Sequence, residues 1–289
     1  MATKLFARLP DVRGVPIAGQ SNTVRVNIPP IGRLLNIKGN VIQGTVPAPL
    51  AAMKTAIGDV RLILNTEVVR KWRFSETVAQ LSANGYPVED GLFAIFLAEP
   101  WRATVLDEEL LALQMGGVYN QVSLEFELTQ PATPFEFDFA YEYDMTAKTL
   151  PNGQLMKGIL GHEIQVENVG GGEPIIKLNP IEGALQRAWI VVPATVNVDR
   201  IRLVQGLSTF YDRWNTAARP EIARSLKDMG LSIPANFTNA NGTFKMVPLV
   251  LDNNQRLANN IANLAGMNLQ LTLSAPADVR ILIEQQILR

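Results

Sequence analysis

"DVRLIL", residues Asp59 to Leu64, returns as "DRIRLV", residues Asp199 to Val204, 140 positions later. Two short segments of mixed apolar and basic residues match easily by accident. A third near-copy, "DVRILI" at Asp278 to Ile283, shows how little the hexamer means alone. What decides is whether the neighbours of the first two copies match in the same order.

They do. Ahead of the first copy, "VRVNIPPIGRLLNIKGNVIQGT" (Val24 to Thr45) reads as strand, Pro-Pro turn and strand, with Leu35, Ile37 and Val41 at alternate positions. After it, an aromatic and basic stretch leads to a short helix that Ser75 caps, Val78 and Leu81 stripe and Gly85 stops. "GLFAIFLAEPW" is a buried strand, and "LDEELLALQMGG" (Leu106 to Gly117) has the cap, acidic first turn and glycine stop of a second short helix. "VSLEFEL" and "PFEFDFAYEYD" then alternate strictly, with Phe135, Phe137, Phe139, Tyr141 and Tyr143 inward.

In the second half, "GALQRAWIVVPATVNVDRIRLV" supplies strand, turn and hexamer. A helix follows with Pro220 in its first turn and Gly230 at its stop. "GTFKMVPLVLD" answers "GLFAIFLAEPW", and a helix from Asp252 to Gly266 answers the one ended by Gly116. "LQLTLSAP" answers "VSLEFELTQP", and "VRILIEQQI" closes this half as the aromatic strand closed the first. Chance does not preserve order, and a period this long is a duplicated domain.

Many short strands, closely spaced turns and two short helices per half predict an all-β sandwich. The eight-stranded jelly roll suits a unit of about 130 residues with helical excursions. Periodicity alone leaves an immunoglobulin-like sandwich open; the helices and the absent cysteines lean against it. The expected organisation is an N-terminal arm over residues 1–14, a first jelly roll over 15–145, a linker over 146–154 and a second jelly roll over 155–289. The chain is thus expected to be a double jelly roll with short helices between strands.

Composition excludes several classes. The chain has 289 residues, no cysteine, one histidine (His162) and a formal net charge of −1. No electrostatic field selects nucleic acid, so no sequence-specific nucleic-acid partner is expected. Cysteine nucleophiles, disulfides and Cys-ligated metals are excluded, and one imidazole cannot build the several-His metal site of a two-domain cupin enzyme. The apolar runs Leu92 to Ala98 and Ala188 to Ala194 are too short to span a bilayer, and the chain is expected to be soluble as made. Apolar residues reach 47% while charged ones reach only 18%, which implies a surface largely covered by other protein.

Few residues offer chemistry. Glu136, Asp138, Glu142 and Asp144 fall on the outer face of the aromatic strand. They are the candidates for Ca2+ ligation or for a glycosidase acid and nucleophile. A solvated strand face explains them more simply, because carboxylates at i and i+2 are what alternation yields. Asp107, Glu108 and Glu109 read as a dipole-matched helix start, and Gly170 to Gly172 as a flexible hairpin lacking the Gly-Lys-Ser/Thr of a phosphate loop. Asn236 and Asn241 head glycosylation-type triplets that arise by chance at this asparagine content. Trp72, Trp101, Trp189 and Trp214 could stack on sugars, or anchor cores and interfaces. The carboxylates and tryptophans together define an alternative function, a tandem β-sandwich that binds or processes carbohydrate.

The first half resembles the N-terminal coat-protein domain of tailless icosahedral bacteriophages, the corticovirus-like branch of the double jelly-roll major capsid proteins. The residues that carry this are "VNIPPIGRLLNIKGNVIQGT", "DVRLILNTEVVRKW", "LSANGYP", "GLFAIFLAEPW" and "DEELLALQMGGVYNQVSLEFEL", in the family's order. They cover residues 15 to 130; the second half is included through the internal duplication. Where the family favours a Thr-Gly-Asp-like turn, this chain has Met115-Gly116-Gly117.

The resemblance implies a structural, non-enzymatic capsid protein without a cofactor, made in the host cytoplasm and residing in the virion. It implies a homotrimer forming a pseudo-hexagonal capsomer that tiles an icosahedral shell. Its partners would be neighbouring capsomers, minor capsid or penton proteins and an internal viral membrane. Lys4, Arg8 and Arg13 are the N-terminal residues it offers for inward or membrane contact. Duplication fits this role, since quasi-equivalent packing needs two similar lateral faces in each chain.

Overall fold

The computed structural model describes residues 4–83, 86–98, 112–146, 159–181, 184–214, 244–249 and 266–287. The chain divides into two compact units, Met1–Val78 with Pro87–Leu160 and Leu288–Arg289, and Ala79–Tyr86 with Gly161–Ile287.

In the first unit the elements run β1 (Lys4–Leu9), β2 (Val12–Arg13), β3 (Ser21–Ile28), β4 (Arg33–Gln43), β5 (Val46–Pro47), α1 (Leu50–Ala56), β6 (Ile57–Leu64), β7 (Glu67–Arg73), α2 (Phe74–Ala83), β8 (Leu92–Phe96), β9 (Leu113–Gln114), β10 (Val122–Thr129) and β11 (Phe135–Asp144). One sheet runs β1-β11-β4, with β8, β9 and β5 all pairing with β4. The other runs β2-β3-β10-β6-β7.

The second unit holds β12 (Ile159–Val169), β13 (Ile175–Lys177), β14 (Ala184–Pro193), β15 (Val198–Gln205), β16 (Ser208–Trp214), β17 (Phe244–Leu249), β18 (Asn268–Leu273) and β19 (Ala277–Ile287). Its sheets run β12-β19-β14-β17 and β13-β18-β15-β16. With the two-residue strands set aside, both units have the same topology: first, eighth, third and sixth strands in one sheet, second, seventh, fourth and fifth in the other. This is the jelly roll.

The repeated hexamers are the fourth strand of each unit, and the third near-copy lies in the closing strand β19, as expected. The pairing also corrects their alignment. A bulge interrupts β6–β7 between Leu62 and Ile63 and β15–β16 between Leu203 and Val204. The hairpins then close through two residues, Asn65-Thr66 in one and Gly206-Leu207 in the other. Asn65 and Gly206 both have φ of 57°, the positive value that such a turn demands. Structurally Leu62 therefore matches Leu203, and Val60-Arg61-Leu62-Ile63 matches Ile201-Arg202-Leu203-Val204. Asp59 stands opposite Arg200 in this alignment, one residue away from the Asp199 that the hexamers suggested. One residue decides which side chains face the core: Val60, Leu62, Ile201 and Leu203 are all buried.

Three further expectations change. Residues 4–9, expected in an N-terminal arm outside the first jelly roll, form β1 and pair with β11 from Lys4↔Asp144 to Leu9↔Phe139. Without them the backbone of β11 would lack partners along one edge. The helix expected over Leu106 to Gly117 is contradicted at its end, because Leu113 and Gln114 pair as β9 with Leu34 and Arg33; its start lies outside the described residues. Gly170 to Gly172 form a crossover between sheets rather than a hairpin: Gly172 exchanges two backbone hydrogen bonds with Leu273 of β18, of 3.0 and 2.8 Å. The helices expected around Pro220 and after Asp252 lie outside the described residues, as do residues 147–154 of the linker.

Each core lies between two sheets, filled by alternate inward residues. In the first unit it is aromatic. Phe93 lies 5.1 Å from Phe74, 5.4 Å from Phe126 and 5.2 Å from Phe139, and Phe137 stacks on Phe139 at 5.8 Å. In the second unit the core is aliphatic, including Leu185, Ile190, Ile201, Leu203, Leu271, Val279 and Ile281.

The aromatic core requires Gly39. It pairs with Phe139 across β4–β11, and a Cβ there would meet the ring at 2.5 and 2.6 Å. Gly39→Ala should therefore destabilise the first unit by about 1–3 kcal/mol, read by urea titration. Adding Phe139→Leu should recover part of that loss.

Candidate functional site

The four carboxylates of β11 do not act together. Glu136 and Asp138 are exposed, and Asp138 accepts a 2.7 Å hydrogen bond from Nε of Arg8. Glu142 is buried, accepts a hydrogen bond from Nδ2 of Asn36 and lies 4.0 Å from Nζ of Lys38. Asp144 is 1% exposed, accepts the backbone N–H of Thr146 at 2.8 Å and stands 3.9 Å from the equally buried Nη1 of Arg33.

The expected solvated face thus holds at one end of the strand and fails at the other. Strand alternation was right, but sheet pairing sets Asp144, Arg33 and Gln114 in one row on adjacent strands, all buried. Among the described residues no group of three or more His, Cys, Asp or Glu side chains gathers as metal ligands.

The basic residues of the amino-terminal segment are likewise dispersed. Lys4, Phe6 and Arg8 fall on alternate positions of β1, in the sheet with β11. Arg13 belongs to β2 in the other sheet, opposite Arg25, and donates a 2.6 Å hydrogen bond to Asp11. That bond, with another from Asn27, holds the Asp11 carboxyl below its usual range. The three cations make no common patch.

Among the tryptophans, Trp72 and Trp189 are buried, 2% and 6% exposed, and the Arg70 guanidinium lies 4.9 Å above the Trp72 ring. Neither offers a face for sugar stacking. Trp101, His162's side chain, that of Trp214, Asp107 to Glu109, Asn236 and Asn241 lie outside the described residues. With its carboxylates apart and its described tryptophans buried, the carbohydrate reading finds no site among the described residues.

What the structure does present is a pair of equivalent surfaces. In the first unit Nζ of Lys71 on β7 lies 2.8 Å from Oδ2 of Asp59 on β6. In the second, Arg200 on β15 donates from Nε and Nη2 to the two carboxylate oxygens of Asp212 on β16, each at 2.8 Å, which raises the guanidinium pKa further. By the bulge alignment, Asp59 corresponds to Arg200 and Lys71 to Asp212. The same diagonal ion pair is built twice with opposite polarity. Nothing in the hexamers taken alone revealed this, because their Asp59–Asp199 match is one residue out.

The ends of the barrels differ too. Oδ1 of Asn65 accepts the backbone N–H groups of Asn120 and Gln121, at 3.0 and 3.3 Å, and its own N–H donates to the Gln121 carbonyl at 2.7 Å. This ties the β6–β7 turn to the segment before β10. The matching turn in the second unit carries a fully exposed Leu207.

Two comparisons of variants test these contacts. Asn65→Gly keeps the positive φ but loses both side-chain bonds, so it should cost about 1 kcal/mol, and Asn65→Ala more, in denaturant titrations. Asp144→Ala removes a buried carboxylate beside the buried Arg33 guanidinium and should cost about 3 kcal/mol, whereas Glu136→Ala with Asp138→Ala should cost about 1 kcal/mol or less.

No family model and no curated protein matches this sequence. Solved structures do. The chain superposes on the major capsid protein P2 of bacteriophage PM2 with a TM-score of 0.72 at 14% identity, covering 99% of both chains. VP54 of PBCV-1 matches with a TM-score of 0.58 at 10% identity, over 99% of this chain and 94% of that one. The Faustovirus major capsid protein matches with a TM-score of 0.57 at 7% identity, over 99% and 90%. At these identities the likeness is one of fold, and it spans both units: this chain has the double jelly-roll fold of viral major capsid proteins.

Proposed function

We propose that this chain is a major capsid protein, a structural subunit whose copies trimerise into pseudo-hexagonal capsomers and tile an icosahedral shell. The observation that carries the reading is the match to PM2 P2 along the full length of both chains, two jelly rolls in the same order. Physical features of the chain support it. Its charged content of 18% is low, and large apolar side chains stand exposed on both units, among them Phe6, Ile17 and Val46, then Ile175, Leu207 and Phe210. Exposed apolar area of this kind is what subunit contacts cover.

No residue in this reading carries catalysis. The two units supply six related lateral faces once three copies close into a ring, which suits a block that packs hexagonally. Neighbouring capsomers and the proteins that close the shell's vertices are the partners it requires.

Light scattering coupled to size exclusion checks the first step. The purified 31.7 kDa chain should elute at three times its monomer mass. Negative-stain microscopy should then show six-cornered particles or sheets of them. A chain that stays monomeric at high concentration under all ionic conditions would overturn the reading.

A further inference from the structure

We propose that the edges formed by β7 and β16 are surfaces by which one copy of this chain meets another, and that their inverted ion pairs select contacts between unlike units. This rests on the shell-subunit reading above.

Within a unit each of these pairs adds a modest amount to the sheet, and in the second unit Asp212 also lies 3.5 Å from Nε of Arg202, the residue opposite it on β15. Yet both partners have changed together between the units, to Arg200 and Asp212, with the geometry kept. Inside the second unit the inversion sets Asp212 between two arginines, Arg200 and Arg202. It has a further consequence where a unit faces a second unit.

The surface is open to such contact. Among the described residues β7 and β16 are the last strands of their sheets. Lys71 is 42% and Asp212 33% exposed at the side chain. Val68 on β7, Phe210 on β16 and Leu207 at its turn are exposed on the same edges and add apolar area. The opposite sheets carry buried groups on their outer faces instead: Asn36, Glu142 and Asp144 in the first unit, Trp189, Val191 and Leu282 in the second.

Where equivalent edges of two copies meet about a local two-fold axis, each charge approaches its own equivalent. Like units then oppose Lys71 to Lys71 or Asp212 to Asp212. Unlike units oppose Lys71 to Asp212 and Asp59 to Arg200. Repulsion in the first case and attraction in the second separate the two by about tenfold in affinity at low salt, and by less as salt screens them.

The test is assembly of the full-length protein, followed by light scattering against concentration at low salt. Asp59→Lys with Lys71→Asp keeps an ion pair in the first unit but makes the units alike; Arg200→Asp with Asp212→Arg does so from the other side. The first double variant should melt as the parent does, the second, which sets a like charge opposite Arg202, somewhat lower, and each should need about tenfold more protein to assemble. Combining all four substitutions restores complementarity and should restore parental assembly. Double variants that assemble like the parent, or a folded quadruple variant that does not recover, would overturn the inference alone. A parent chain that never self-associates overturns the shell-subunit reading, and this inference with it.

Discussion

In both units the final strand is inserted between the first and the third. β11 pairs with β1 along Leu9↔Phe139 to Lys4↔Asp144 and with β4 from Phe135↔Gln43 to Asp144↔Arg33. No sheet of this kind can be completed until the two ends of the unit have met. Loop closure over such a span must precede the contacts that reward it, so folding is expected to be slow and cooperative. The same constraint explains why residues 4–9 are structural and why Gly39 must lack a side chain: both lie against β11.

The two units share geometry more closely than chemistry. Topology, bulge, turn length and the φ of the turn residue recur in both units, because each is set by backbone hydrogen bonding and sheet twist. Side chains at matched positions have diverged in ways that leave those backbone features intact. Phe126 corresponds to Leu271, so an aromatic core became an aliphatic one. Asn65 corresponds to Gly206, two of the few residues that tolerate the same positive φ. The charge pair inverted as a pair, since changing one partner alone would have set like charges side by side.

The candidate site shows where local reading stops. Glu136, Asp138, Glu142 and Asp144 alternate along one strand, and their common face was legible from period alone. Their fates were not. Asp138 meets Arg8 from a strand 130 residues away, and Asp144 shares a row with Arg33 and Gln114 from two others. Burial on a strand's outer face depends on what the rest of the chain lays over it, and no pattern within ten residues encodes that. Leu113 and Gln114 failed for a related reason: the stretch has a good helix start and stop, but its end pairs with the free edge of β4.

The order of the main strands around each hexamer, the two-fold repetition, the inward aromatic face of β11 and the hexamers as one strand in two units were determined by the sequence itself. These follow from alternation, turn residues and repeated order, which are properties of neighbouring positions. The alignment of the two halves to the residue, the membership of β1 in the sheet, the burial of Asp144 and the inverted ion pair were decided by the tertiary structure. Each depends on cross-strand register, and register is fixed by hydrogen bonds between residues distant in the chain.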